Sequence, residues 1–249
     1  MLPLERHTRI LELMDQYETL LTQDIAERVG VSGATIRRDL QDLSERGLLS
    51  RTHGGAVRVQ RSIAQEPAFA AKSIRMQSEK IAIAEYVAAH IRDGSTLIFD
   101  AGTTILEVAR RVAGRPFTAI ALDLPAAQAL AVGATEVLLL GGRVRSNSFS
   151  ITGPWSEEQL RTLRADVFLM GAHAVDAQGV SNAVIEEAMV KKLAVEVSHR
   201  TMLLADHSKF GWRAMTQVCA LDQVQQIVTD RGSRKLNWLK ESGVDLTVV

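Results

Sequence analysis

One short segment carries residues that could bind a phosphate group. The apolar run TLIF is followed by DAGTT, from Asp100 to Thr104, and then by a stretch with helical spacing. At a helix start the backbone N–H groups lack intrahelical partners and the helix dipole favours an anion. Asp100, Gly102, Thr103 and Thr104 are therefore candidate ligand-binding residues. A threonine at a helix start can also be an ordinary cap, so the other apolar runs need the same inspection.

Polar or basic residues also follow four further apolar runs. The candidates among them are Asp123 after FTAIAL, Gly142 and Arg143 after EVLLL, His173 after DVFLM, and Lys209 after TMLLA. In open parallel sheets, ligands bind beyond the carboxyl ends of the strands. Five such ends, with two cations among them, predict a pocket for a phosphorylated ligand.

A second group of residues could read DNA. A helix enters the major groove with short polar and basic side chains outward while its apolar face holds it on the domain. With Ile36, Leu40 and Leu43 inward, the outward set is Gly33, Ala34, Thr35, Arg37, Arg38 and Gln41. Residues 31–61 contain six arginines and three acids. On charge alone this could equally be a solvated helix, and the spacing leaves open which of Arg37 and Arg38 would reach a base.

Three helices and a hairpin must position these arginines. Apolar residues recur at helical spacing over residues 4–46. We predict that Thr22 caps the second helix and Gly30 ends it, and that Ser32 caps a third helix running to about Arg46. The segment from residue 48 to 59 then predicts a hairpin, or wing. It would supply Arg51, His53 and Arg58 for contacts to the DNA backbone.

From about Thr96 the pattern changes to short apolar runs alternating with helical stretches, which is typical of an α/β fold with a mostly parallel sheet. The predicted strands are TLIF, FTAIAL, EVLLL, DVFLM, TMLLA, QQIVT and DLTVV. The predicted helices are 79–91, 103–112, 124–131, 155–163 and 185–199. We therefore expect a DNA-binding domain over residues 1–59, a linker over 60–77 and a ligand-binding domain over 78–249.

Composition narrows the class of protein. The chain has 249 residues, 46% of them hydrophobic, and equal numbers of basic and acidic residues, 29 each. Disordered and fibrous classes are excluded, and any nucleic-acid binding must come from a local patch. Cys219 is the single cysteine, and we interpret it as a buried structural thiol. Without a signal-like start or a run of roughly 18 apolar residues, a cytoplasmic protein is expected. The histidines show no ligand spacing, so neither a metal nor a cofactor is expected.

The N-terminal motifs resemble a known family. The segment LTQDIAERVGVSGATIRRDLQDLSERGLLSRTHGGAV is similar to the winged helix-turn-helix of the DeoR family of bacterial sugar-responsive repressors. The resemblance implies that Ser32, Thr35, Arg37 and Arg38 belong to the recognition helix and that the HGG turn shapes the wing.

The second half also resembles this family, whose effector domain is similar in fold to ribose-5-phosphate isomerase. The segments that carry the resemblance are FDAGTT, LLLGGRVRSNSFSITGP, ADVFLMGAHAVDAQGVSN and LLADHSKFG. It implies that residues 102–104 grip a phosphate, that Lys209 neutralises it, and that Gly142 and Arg143 line the pocket. His173 and Asp123 depart from the family pattern, which has aspartate and asparagine there, so the specific sugar stays open.

The resemblance also separates a sensor from an enzyme. Isomerases of this fold carry a DGAD run, but this chain has MGAH, with Met170 and His173 at the carboxylate positions. Glu186 and Glu187 on the following helix keep a sugar-phosphate isomerase or deaminase as the alternative. The favoured interpretation is a repressor of carbohydrate-metabolism genes, not an enzyme, that binds double-stranded operator DNA as a homo-oligomer and is relieved by a phosphorylated sugar. A constitutive DNA-binding protein with a vestigial pocket is the third possibility. Oligomer size and operator sequence are not readable from the residues.

Overall fold

The computed structural model describes residues 1–58, 63–64 and 66–249. Within these ranges the chain divides into two units. The first comprises Met1–Ser62 and Pro67–Gln77, and the second comprises Ile63–Glu66 and Ser78–Val249. Part of the predicted linker, residues 60–62 and 65, lies outside the described residues, as does Val59 at the end of the predicted wing.

The first unit contains helices and a small antiparallel sheet. In chain order its elements are α1 (Pro3–Gln16), β1 (Thr19–Leu21), α2 (Thr22–Val29), α3 (Gly33–Glu45), β2 (Leu49–Arg51), β3 (Gly55–Arg58) and α4 (Phe69–Ile74). Strands β2 and β3 form the predicted hairpin, with Leu49 opposite Arg58. Strand β1, which we did not predict, pairs with β3 to give the order β1-β3-β2. The predicted winged helix-turn-helix order is confirmed.

The helix boundaries follow local chemistry, with one correction. Gly30 takes a left-handed conformation, φ 76°, and ends α2 as predicted. Ser32 caps α3, since its side chain accepts a hydrogen bond from the Thr35 backbone. The prediction that Thr22 caps α2 is wrong. Thr22 is already the first helical residue, because Leu21 ends β1 in an extended conformation directly before it.

The second unit alternates strands and helices. In chain order its elements are α5 (Gln77–His90), β4 (Thr96–Phe99), α6 (Thr103–Val112), β5 (Thr118–Ala121), α7 (Leu124–Leu130), β6 (Glu136–Leu139), β7 (Arg143–Val144), β8 (Ile151–Thr152), α8 (Pro154–Thr162), β9 (Ala165–Gly171), β10 (Ala174–Asp176), β11 (Gly179–Asn182), α9 (Ile185–Val197), β12 (Ser198–Leu204), β13 (Thr216–Cys219), β14 (Gln226–Thr229), α10 (Asn237–Glu241) and β15 (Asp245–Val248).

The seven predicted strands form one parallel sheet in the order β15-β14-β12-β9-β4-β5-β6. The two faces of the sheet have separate cores, because neighbouring residues of a strand point to opposite faces. In β4, Ile98 packs in one core and Leu97 and Phe99 pack in the other. The predicted α/β class is confirmed.

Two smaller sheets supplement the parallel one. Strands β10, β11 and β13 form an antiparallel sheet, and β7 pairs with β8. Cys219, at the end of β13, is buried, and burial raises the pKa of its thiol to about 11. A thiol held protonated in this way fits the predicted structural role. In the part of the chain that the structure describes, no helix combines the length and the apolarity that crossing a bilayer requires.

Candidate functional site

Helix α3 presents the predicted DNA-reading residues at its N-terminal end. Ser32 is exposed and Thr35 is half-buried, and their hydroxyl oxygens lie 2.9 Å apart. The Thr35 backbone N–H donates to Ser32 Oγ at 3.2 Å. Arg37 and Arg38 are both exposed, while Ile36 before them and Leu40 after them are buried. The core therefore fixes this helix while two guanidinium groups face solvent.

The wing contributes the other predicted residues. Arg51 on β2 is exposed and donates a hydrogen bond to Oε1 of Gln41, on the outer surface of α3. Gln41 in turn donates to Glu45. His53 is exposed in the turn of the wing, and Arg58 is half-buried at the end of β3. The wing and the helix thus present one continuous polar surface.

A buried ion pair on α3 was missed by the sequence prediction. Asp39 is 3% exposed, and its carboxylate accepts hydrogen bonds from Arg6 Nε at 2.5 Å, Arg6 Nη2 at 2.8 Å and His7 Nε2 at 3.1 Å. Burial alone would raise the pKa of Asp39, but the bonds from Arg6 and His7 hold it below its ordinary value. These bonds fasten α3 to α1. Asp39 falls on the apolar stripe of α3, and a charged residue at such a core position could have indicated a buried ion pair.

The predicted phosphate loop joins β4 to α6. Gly102 adopts φ 139°, which side chains larger than hydrogen rarely permit, and precedes the first helical residue. Thr103 and Thr104 form the first turn of α6 and are buried, at 9% and 8% exposure. The Gly102 N–H donates to Asp123 Oδ2 at 3.0 Å, and Asp123 Oδ1 caps α7 by accepting from Ala126 at 2.8 Å. Asp123 therefore holds the loop against the next strand end.

Asp100 is fully enclosed in protein contacts. Its carboxylate accepts hydrogen bonds from the backbone of Ala101 and of Gly171, both at 2.8 Å, and from Lys191 Nζ. Lys191, on α9, also donates to the Gly171 carbonyl at 2.9 Å. Burial raises the pKa of Asp100, an effect that Lys191 opposes. This buried pair joins the ends of β4 and β9, so Asp100 supports the loop, and Lys191 is a partner that the sequence prediction missed.

The residues predicted after β6 take different positions. Gly142 has φ 158°, and a β-carbon there would lie 2.8 Å from the Thr152 carbonyl oxygen, so this glycine permits close packing against β8. Arg143 is exposed and lies 3.7 Å from a carboxylate oxygen of Glu186. Gly142 therefore has a packing role, and Arg143 pairs with an exposed acid of α9.

The remaining two predicted residues lie after β9 and β12. His173 is half-buried, and its ring meets Trp212 edge-on at 5.1 Å between centroids. Lys209 is half-buried in the single helical turn His207–Lys209. In the same turn, His207 Nδ1 lies 2.8 Å from Asp230 Oδ2, and this hydrogen bond raises the pKa of His207.

A second polar cluster surrounds Glu187. Its carboxylate accepts hydrogen bonds from Ser148 Oγ at 2.8 Å, from Asn182 Nδ2 at 3.0 Å, and from Ser150 and Arg145. Burial would raise the pKa of Glu187, but the bonds from Ser150, Asn182 and Ser148 and the nearby charge of Lys191 lower it to about 2. The carboxylate is therefore held ionised. The serines were visible in the sequence as SNSFS, but their pairing with Glu187 was not.

The family models cover both units of the chain. Residues 6–62 match the DeoR-like helix-turn-helix domain, and residues 75–231 match the DeoR C-terminal sensor domain. Solved structures are similar only at a lower level. Ribose 5-phosphate isomerase A from Neisseria gonorrhoeae has 17% identity and a TM-score of 0.41 over 54% of this chain and 53% of that one. The eIF2B delta subunit from Chaetomium thermophilum has 14% identity and a TM-score of 0.47, over 90% and 71%.

Curated relatives are similar over nearly their whole length. The transcriptional regulator GlpR of Haloferax volcanii is 35% identical, over 92% of this chain and 91% of its own. The transcriptional repressor AccR of Agrobacterium fabrum is 36% identical, over 93% and 91%. The lactose phosphotransferase system repressor of Staphylococcus aureus is 33% identical, over 91% of each chain. The motifs of α3 and the wing, the loop at Gly102 and these full-length matches agree, and the chain belongs to the DeoR family of transcriptional regulators.

Proposed function

We propose that this protein is a repressor of carbohydrate-metabolism genes that binds operator DNA through residues 4–59 and releases it when a phosphorylated sugar binds the sensor unit. The observation that carries the proposal is the exposed pair Arg37 and Arg38 on a capped helix whose opposite face is buried. Two relatives named as repressors, AccR and the lactose phosphotransferase system repressor, support the direction of regulation.

The geometry of α3 suits major-groove entry. Its first turn carries Gly33 and Ala34, which permit close approach, and Arg37 and Arg38 follow within one turn. An arginine can donate two hydrogen bonds to a guanine edge or neutralise a phosphate. Arg51 and His53 on the wing are exposed and would contact the DNA backbone.

The sensor unit suits an anionic ligand. Thr103 and Thr104 open α6, so free backbone N–H groups and the positive end of the helix dipole meet at the carboxyl end of β4. Lys209 follows β12, a strand of the same sheet, and would neutralise a phosphate. We assign the effector to the class of phosphorylated sugars, with Arg143, Asp123 and His173 as further candidates for its recognition.

We infer that the sensor unit does not catalyse sugar-phosphate isomerisation. Met170 is fully buried in the core, and a thioether does not accept a proton. Glu187, the acid on which the enzyme alternative depends, has four donors on its carboxylate and a pKa of about 2, so it is a poor base near neutral pH. Turnover of ribose 5-phosphate or glucosamine 6-phosphate by the pure protein, abolished in Glu187→Gln, would overturn this inference.

The DNA-binding proposal is tested with the full chain and a duplex selected from random-sequence DNA by the wild type. Arg37→Ala or Arg38→Ala should weaken binding by about 1–3 kcal/mol where that arginine contacts a base. Arg161→Ala, which removes an exposed arginine of α8, is the matched control. Wild-type affinity in both α3 variants would refute the assignment of the recognition helix.

The sensor proposal is tested in the same binding assay with added phosphosugars. Lys209→Ala should bind the duplex normally but should not release it at ligand concentrations that release the wild type. An unchanged response would refute the phosphate site. We also propose that a second copy of the chain supplies the paired reading helices that operator half-sites require, and sedimentation with and without the duplex would measure the assembly.

A further inference from the structure

One arginine of the sensor unit lies between two carboxylates. Arg145 Nη1 donates to Glu66 Oε2 at 2.8 Å and to Glu187 Oε1. The acidic side chains are 6% and 7% exposed, and that of Arg145 is 22% exposed. Burial would lower the pKa of Arg145, but the two acids hold it above its ordinary value, so it is charged at every relevant pH.

Glu187 connects this arginine to the phosphate loop. Ser150 donates to Glu187, and its backbone pairs with Asp123 as an isolated antiparallel bridge. Asp123 accepts the hydrogen bond of the Gly102 N–H. A continuous set of contacts therefore runs from the loop at the start of α6 to Arg145.

Glu66 connects the same arginine to the chain that leaves the sensor unit. Ile63–Glu66 belongs to this unit, and the Ile63 carbonyl accepts a hydrogen bond from the Met215 N–H at 3.0 Å. Only Pro67 and Ala68 separate Glu66 from α4. Helix α4 belongs to the DNA-binding unit, where its Ala71 and Ile74 are buried in the core. A displacement of Glu66 would therefore be passed to α4 through only two residues, and one of them is a proline whose backbone φ is restricted.

The charges make Glu66 the partner that can leave. Arg145 carries one positive charge between the carboxylates of Glu66 and Glu187, so these three side chains together carry one net negative charge. Releasing Glu66 into water leaves Arg145 still paired, whereas releasing Glu187 would strand a buried carboxylate. An anionic ligand in the pocket adds negative charge to the same group and favours that release.

We propose that the Glu66–Arg145 ion pair is a latch through which ligand binding in the sensor pocket reaches the DNA-binding unit. This rests on the function proposed above. A ligand with anionic and hydroxyl oxygens competes for Arg145 and for the serine hydroxyls at Glu187, and Glu66 is then released. The closed and open latch are the two states, and the ligand's preference for the open one supplies the coupling.

The first test compares Glu66→Gln with the wild type in ligand and DNA binding. Glu196→Gln, which changes an exposed acid of α9, is the matched control. The probes are ribose 5-phosphate, glucosamine 6-phosphate and inorganic phosphate. Because the wild type must open the latch to bind ligand, Glu66→Gln should bind the effective sugar phosphate more tightly, and ligand should change its DNA affinity less than about twofold, against about fivefold or more in the wild type. Wild-type coupling in Glu66→Gln would overturn the latch.

The second test needs no ligand. In Glu66→Gln, amide hydrogen exchange at Met215 should accelerate because its acceptor on Ile63 is no longer held, while Leu203 inside β12 keeps its protection. DNA affinity without ligand should also differ from that of the wild type. Arg145→Gln alone should also accelerate Met215 exchange, because it removes the same contact to Glu66 from the other side.

The two tests separate the latch from the proposed function. Unchanged Met215 exchange together with unchanged DNA affinity would overturn the latch whatever the ligand result. A wild type that binds DNA but responds to none of the three probes, with Met215 exchange accelerated and ligand-free DNA affinity altered in Glu66→Gln, would reject these sugar phosphates as effectors and still support the latch.

Discussion

The buried ion pair between α3 and α1 contributes to the stability of the DNA-binding unit. In Asp39→Asn the side chain keeps its size but loses its charge, and its single carbonyl oxygen cannot accept all three bonds that Arg6 and His7 now make. Breaking a buried pair by changing one partner costs about 3–5 kcal/mol. Arg6 retains 13% exposure, so water can solvate part of its freed guanidinium, and we expect a loss of about 3 kcal/mol.

The chain offers a convenient assay for this loss. All three tryptophans, at positions 155, 212 and 238, lie in the sensor unit, so tryptophan fluorescence follows that unit while far-ultraviolet circular dichroism follows both. Urea should shift the dichroism transition of the DNA-binding unit down by roughly 1–3 M in Asp39→Asn. The fluorescence transition should stay in place. Glu12→Gln, which removes the exposed partner of Arg9, is the control and should cost less than about 1 kcal/mol.

The pH dependence has a definite sign. The pKa of Asp39 is lower in the folded chain than its unfolded value of about 3.9, so its contribution is present above that value and is lost as pH falls through the folded pKa. Acid should therefore destabilise the wild-type unit more than it destabilises Asp39→Asn. A variant within about 0.5 kcal/mol of the wild type at pH 7 would refute the reasoning that this pair fastens α3.

Three further predictions concern the sensor unit. Lys191→Met should leave the Asp100 carboxylate uncompensated and lower the thermal midpoint by roughly 10 °C, whereas Lys192→Met, at an exposed neighbour, should leave it unchanged. Gly142→Ala places a β-carbon against a carbonyl and should cost about 2 kcal/mol in denaturant unfolding, and a neutral result would mean that β7 and β8 can separate. The raised pKa of His207 should stabilise the unit below about pH 6.5 and lose that effect as pH rises through the folded pKa. Thermal midpoints from pH 6 to 9 should show this fall in the wild type and not in His207→Gln.

The large helices and strands were predictable because their buried apolar residues recur at regular spacing along the sequence. All seven strands of the parallel sheet were visible as short apolar runs, since both faces of such a sheet are covered. The winged helix-turn-helix was visible through helical spacing, Gly30 and the HGG turn. Strand β1 was missed because three residues show no period, and β10 and β11 were missed because they are short and partly polar.

The candidate site was predictable only as positions at strand ends. Asp100 and Gly142 were assigned to the ligand, but the structure shows the first bonded to Lys191 and the second packed against β8. These roles depend on partners distant in sequence, which spacing does not reveal. Lys191 and Glu187 looked like ordinary residues of a helix, although both are buried and hydrogen-bonded. Whether the predicted residues bind a ligand stays a prediction.

The path of the chain between the two units limits how their modules could be exchanged. Helix α4 lies after Ile63–Glu66 in sequence but is part of the DNA-binding unit, with Ala71 and Ile74 buried in its core. A hybrid regulator joined at residue 60 would keep the DNA-binding helices of one parent but take α4 from the other. That α4 would not match the core into which it must pack. Crossovers after residue 77 would keep α4 with its core but bring a foreign Ile63–Glu66 to the sensor. We therefore expect related regulators to exchange their DNA-binding and sensor units less often than they would if a plain flexible linker joined the two.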